Sequence, residues 1–414
     1  MAAAGDDDEA EAHEAALARD AAHVRAYRDG RYGDGLSGAP DVTPEQAARG
    51  VLDRLRADPA WAGQLPSEQE AITGLTTLFS GWRDGVDPRL RTLVAQLERA
   101  LPVALGGPPA GRPVVATLRQ TPFFFARTMV FPEIEHAYLV LMHERFTHYT
   151  DLISRAVVAT LPADVLHRPY EPAEVAAFVD ARVRAAPDRT IYSFAEAAVS
   201  LALQGSDVRA GSLPVEPERR VMASFLWDAT DLFVLGHECA HFEMSHRGPR
   251  RPALVRLGAT HAVDRYWQEL QADELGLSLS SWSLHESREA GTAVSSLGAW
   301  IFFTAWEAYE LSAAILAAGS RAQGERDLAQ RRAVKDLDAY PSLHERKAQL
   351  FRTVKASGAA DPVMLIRLWW GFDIALQYLL DYTAAHAEVM AERVGDAAVP
   401  SVSPTPTHGP GARA

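Results

Sequence analysis

"LGHECAH", residues 235–241, decides how the rest of the chain is read. His237 and His241 stand four positions apart with Glu238 between them. Four residues of α-helix turn through about 400°, so both imidazoles leave one face, and Glu238 is offset from His241 by about 60°. One metal ion can then be held by both histidines while the glutamate reaches a water bound to it. The pattern needs a helix around it, and "ERRVMASFLWDATDLFVLGHECAHFEMSH" supplies one. It follows Pro217, stops before Gly248 and Pro249, and is apolar round much of its circumference, as expected of a helix at the centre of a domain.

Two histidines do not close a metal site, and the next helical segment carries what is missing. "YWQELQADELG" (266–276) places Glu269 and Asp273 four apart, hence on one face, far enough beyond His241 for the chain to turn back. Glu269 can be the third ligand. Asp273 can accept a hydrogen bond from the far nitrogen of a ligating histidine, which fixes its tautomer and raises its basicity. Three protein ligands leave a position for water, the arrangement of a catalytic rather than a structural site.

HExxH followed by an E-x-x-x-D helix resembles the gluzincin metallopeptidases. "ELQADELG" is similar to the E-x-x-A-D-x-x-G helix of the group that contains the membrane heat-shock and prenyl-protein-processing proteases, and the likeness covers roughly residues 225–350. It implies zinc held by His237, His241 and Glu269, oriented by Asp273, and a protein or peptide as substrate. Zinc would lower the pKa of its water towards ~7, and Glu238 would take the proton as general base and pass it to the leaving amine. The group's later His-Pro element stands here as "YPSLHER" (340–346). By the resemblance, Tyr340, His344 and Arg346 are the candidates to stabilise the oxyanion or pair with a carboxylate of the site. The same stretch also reads as a helix start, with Pro341 fixing the backbone, Ser342 capping, and Leu343, Ala348 and Leu350 facing the core.

Two other functions remain open at this point. Two histidines and one carboxylate also suit iron, as in an oxidative peptide-modifying enzyme. The domain could instead be a catalytically inactive metal-binding module whose N-terminal helical region binds a partner. A metzincin is excluded, because Met244 and Arg247 stand where its glycine and third histidine belong.

Composition bounds these readings. The chain has 414 residues, 48% hydrophobic and 23% charged, with a net charge of −13 and a pI near 5.5. Neither nucleic acid nor an anionic membrane is the expected partner, since both reward clustered Lys and Arg. A single cysteine, Cys239, excludes an intramolecular disulfide framework, and the acidic start "MAAAGDDDEAEAHEAA" lacks the marks of a secretory signal. The expected location is cytoplasmic. "LGAWIFFTAW" (297–306) and "VMLIRLWWGFDIALQYLLDY" (363–382) are interrupted by charge, so both are expected to be buried helices rather than membrane spans.

The expected fold is mainly α, a zincin-like metallopeptidase domain with few short strands and a helical N-terminal region. Residues 1–40 read as a disordered or loosely helical acidic arm, 41–105 as a helical region, "GGPPAGRP" (106–113) as a linker, 114–394 as the catalytic domain and 395–414 as a Pro-rich disordered tail. Strands are expected at 189–194 and 206–215. The histidines of "HERFTH" (143–148) are five apart, about 140° round a helix, and read as a decoy. Cys239 is expected to pack as a small hydrophobe. Arg247, Arg250, Arg251 and Arg256 read as a solvated loop or, alternatively, as a grip on an acidic substrate segment.

Overall fold

The computed structural model describes residues 4–32, 88–118, 125–162, 170–185, 217–247, 261–284, 288–335, 341–357 and 362–394, with short pieces within 45–73 and at 164–165, 195–199, 201–202 and 215. The expected strands at 189–194 and 206–214, the arginines at 250–256 and the C-terminal tail lie outside the described residues. What is described is mainly helical with one small sheet. The helices are α1 (Ala4–Tyr32), α2 (Pro88–Leu105), α3 (Glu144–Thr160), α4 (Pro172–Ala185), α5 (Pro217–Arg247), α6 (His261–Leu284), α7 (Arg288–Ala318), α8 (Arg321–Lys335), α9 (Leu343–Ser357) and α10 (Pro362–Val394).

The strands β1 (Arg112–Leu118), β2 (Ala126–Met129) and β3 (Ala137–His143) form a sheet in the order β1-β3-β2. β1 and β3 run parallel, from Arg112↔Ala137 to Leu118↔His143, and β2 runs antiparallel to β3, from Ala126↔Met142 to Met129↔Leu139. Both faces of β3 are apolar because both are covered. Ala137, Leu139 and Leu141 pack with Val114, Ala116 and Leu118 against Ala21 and Val24 of α1, while Tyr138, Val140 and Met142 join the main core with the helices. A strand buried on both faces reads as a continuous apolar run and hides its period of two.

The acidic N-terminal segment, read as a disordered or loosely helical arm, is helical over Ala4–Tyr32 and docks on the sheet. Leu17, Ala21 and Val24 are buried on one stripe of α1, and Asp20 accepts a hydrogen bond from the His136 backbone at 3.1 Å. Alanine-rich sequence has high helix propensity, and the sheet supplies the surface that a lone helix lacks.

α2 follows its sequence period, with Leu90, Leu93, Leu97 and Leu101 buried in the main core. Gly106 ends it at φ 66°, and the turn into β1 is stapled to α5: the backbone N–H groups of Ala110 and Gly111 donate to buried Glu243 at 2.9 and 3.3 Å. Residues 106–113 thus run against the central helix.

At that centre, every residue of α5 from Asp231 to Ala240 is buried. α3, α6 and α7 surround it, with the sheet over one side. α7 contains Gly291–Ala318, among the described residues the one stretch long and apolar enough to cross a membrane. In this fold its Ile301, Phe302 and Phe303 lie in the main core, packed by α5, α6 and α10.

Candidate metal centre

The ligand-bearing helices meet without side chains between them. A Cβ on Gly236 would stand 2.9 Å from the Gly276 carbonyl oxygen, and one on Gly276 would stand 2.8 Å from the His237 nitrogen. Real Cβ atoms do not approach backbone so closely, so this crossing of α5 and α6 requires glycine on both helices. It sets the residue after Gly236 opposite the turn of α6 that precedes Gly276.

His237, His241 and Glu269 converge there, and they form the only group among the described residues close enough together to hold a metal ion. The two Nε2 atoms are 3.1 Å apart, and Glu269 oxygens lie 3.5 Å from His237 Nε2 and 3.6 Å from His241 Nε2. Ligands on a tetrahedral centre with bonds of ~2.0–2.1 Å stand ~3.3 Å from one another, so the donors already surround one point. In the tautomers that turn both lone pairs inward, the two nitrogens repel and a shared cation is what would hold them together.

Comparison with protein-family models, curated proteins and solved structures found no match to this chain. The case for the centre rests on its own geometry.

His237 Nδ1 lies 2.9 Å from Asp273 Oδ1, off the axis of its ring N–H, which leaves Nε2 as the ligating atom. Asp273 is in turn gripped by Arg346, whose Nε donates to Oδ2 at 2.7 Å and Nη2 to Oδ1 at 2.6 Å. Arg346 also reaches Glu269 Oε2 at 3.6 Å, and its guanidinium carbon lies 5.0 Å from the centre of the Phe303 ring and 5.6 Å from that of Trp306. Its first turn explains how a long cation comes to point inward. Ser342 and Glu345 cap α9 reciprocally, Ser342 N donating to Glu345 Oε2 at 2.8 Å and Glu345 N to Ser342 Oγ at 3.2 Å, so Arg346 begins its helix in a fixed direction.

These groups set one another's protonation. Burial opposes the charge of Asp273, yet Arg346 and His237 outweigh it and hold the carboxyl below its usual range. Burial likewise opposes Glu269, and His241, Arg346 and His237 hold it low. The histidines part company: burial disfavours the charged form of both, but His237 is raised by Asp273 and Glu269, whereas His241 stays lowered despite Glu269.

Glu238 is tied to the sheet. Its Oε2 accepts a hydrogen bond from Thr128 Oγ1 at 2.8 Å, and the same hydroxyl lies 2.9 Å from the Glu238 carbonyl oxygen. Thr128 belongs to β2 and is the site residue that sequence reading missed. A four-residue strand, "ARTM", is too short to show alternation, and the contact spans 110 positions.

Of the three candidates in "YPSLHER", Arg346 reaches the ligand set. His344 is exposed, about 200° round α9 from Arg346, and Tyr340 lies outside the described residues. His143 is buried at the end of β3 and His148 is half-buried in α3. Cys239 packs in the main core beside Tyr138, and burial pushes its thiol far up, which leaves it unreactive.

Proposed function

We propose that this centre is that of a zinc-dependent peptidase acting on a protein or peptide substrate. One observation carries the reading: Glu238, a carboxylate outside the ligand set, sits beside three converging donors of which one, His241, opens to solvent. The His241 side chain is 29% exposed against 5% for His237. Zinc, when bound, supplies Lewis-acid polarisation of the scissile carbonyl and makes water acidic enough to lose a proton near neutral pH. His237, His241 and Glu269 would hold it. Glu238 takes the proton of the attacking water and delivers it to the nitrogen of the leaving amine, so one carboxylate serves as base and then as acid. Two imidazoles and one carboxylate suit zinc and iron alike; a carboxylate next to the ligand set and outside it, Glu238, favours the hydrolytic reading. Among the described residues β2 is the end strand of the sheet, and its Thr128 holds Glu238.

Elemental analysis and a search for new protein N-termini test the reading together. His241→Ala and Glu269→Ala lose most of the metal, while Glu238→Gln keeps it and loses cleavage. Stoichiometric zinc in the Glu269 variant would misassign the third ligand, and cleavage by a zinc-loaded Glu238→Gln protein would remove Glu238 as the base.

A further inference from the structure

We propose that Thr128 is a positioning residue for Glu238, and that the edge strand β2 thereby aims the carboxylate at the substrate side of the centre. Among the described residues no ion pair involves Glu238, although it is buried. Asp273 and Glu269 are steered by Arg346; Glu238 has the Thr128 hydroxyl at 2.8 Å. A glutamate side chain turns about three bonds, so anchoring Oε2 is what leaves Oε1 in a fixed direction. The anchor is itself stiff. Threonine is branched at Cβ, and its backbone is locked in the sheet opposite Val140. One hydroxyl hydrogen is shared between two acceptors of the same residue, the Glu238 carboxylate and its main-chain oxygen at 2.9 Å. The hydroxyl therefore keeps an acceptor whenever the carboxylate swings to a substrate, and it restores the same direction afterwards. A hydrogen bond to a carboxyl group that is buried from water is strong enough to set that direction.

The effect on turnover rests on the peptidase reading, whereas the hydrogen bond itself does not, and the test separates the two. Thr128→Val preserves shape and removes the donor; Thr128→Ser preserves the donor. In zinc-loaded full-length protein, Thr128→Val lowers kcat about 10- to 100-fold with KM within about twofold and metal content unchanged, since misplacing a reacting group by about 1 Å costs rate rather than binding. Thr128→Ser recovers most of that loss. Independently of turnover, infrared difference spectra of ¹³C-glutamate-labelled protein, wild type minus Glu238→Gln, isolate the Glu238 carboxylate stretching bands. These bands shift in Thr128→Val and return in Thr128→Ser. If Thr128→Val does not fold by circular dichroism, Thr128→Ala takes its place in both measurements. Wild-type kcat without the hydroxyl, or Glu238 bands that do not move, overturns the proposal. If the wild-type protein cleaves nothing, the peptidase reading falls and the bands alone decide the role of Thr128.

Discussion

On the α9 side of the centre each charge is tied to another, whereas on the β2 side, among the described residues, the Thr128 hydroxyl is what holds Glu238. His237 backs onto Asp273, Asp273 onto Arg346, and Arg346 onto Glu269 and two aromatic rings. Glu238, itself buried, bonds to Thr128 of β2, and the His241 side chain is the ligand open to solvent, 29% exposed. The two histidines are one helical turn apart, yet their pKa values move in opposite directions because carboxylates outweigh burial at one and not at the other. The difference teaches a division of labour. Ligands need fixed positions, which a buried network supplies; a base that must take and release a proton needs fewer partners and access to water.

The sharpest way to break that contrast is to remove Arg346, which is 1% exposed. Arg346→Ala leaves Asp273 and Glu269 as buried carboxylates without their cation, and losing one partner of a buried pair costs about 3–5 kcal/mol. Urea unfolding of the metal-free protein reads the loss. Arg346→Lys recovers only part of it, because an ammonium cannot meet both Asp273 oxygens as the guanidinium fork does. A cost below about 1 kcal/mol for the alanine variant would mean that the α9 side is not the rigid one.

The same contrast explains what the sequence could reveal. His237, His241, Glu269 and Asp273 were legible because helical period converts spacing into a shared face, and the Ser342 cap was legible because capping is local. Arg346 needed the resemblance, since nothing local aims it at Asp273, 73 positions away. Thr128 and Glu243 were invisible for a stronger reason: each matters through a contact more than 100 positions away, made by an element with no pattern of its own. The sheet was missed because burial on both faces erased its alternation. The docking of α1 was not legible because only a few apolar residues among many alanines and acids mark its buried stripe.

A smaller effect probes how closely the ligand helices must meet. Gly276→Ala places its methyl 2.8 Å from the His237 backbone nitrogen, where no flexible side chain can give way. Separating α5 from α6 should cost about 1–3 kcal/mol, as overpacking does elsewhere, and should weaken metal binding because His237 and Glu269 ride on opposite helices. Gly107→Ala is the control, since a Cβ there meets nothing within 4 Å. Equal metal affinity and stability in both variants, measured by chelator competition and thermal unfolding, would show that the crossing tolerates a methyl group and that the ligands are positioned by other contacts.

The smallest expected effect is at His344, the exposed neighbour of buried Arg346. It shares the first turn of α9 with Arg346 but leaves the helix on the other side, about 200° away. A side chain in water makes few contacts to lose, so His344→Ala should change stability by no more than about 0.5 kcal/mol and leave metal content as it is. Turnover is the informative measurement. A donor to the oxyanion would cost ~10²- to 10³-fold when removed, and no exposed surface residue does that. We expect a change of no more than a few-fold. A loss approaching ~10²-fold with metal retained would mean that α9 turns or slides when substrate binds, and that the tied side of the centre moves after all.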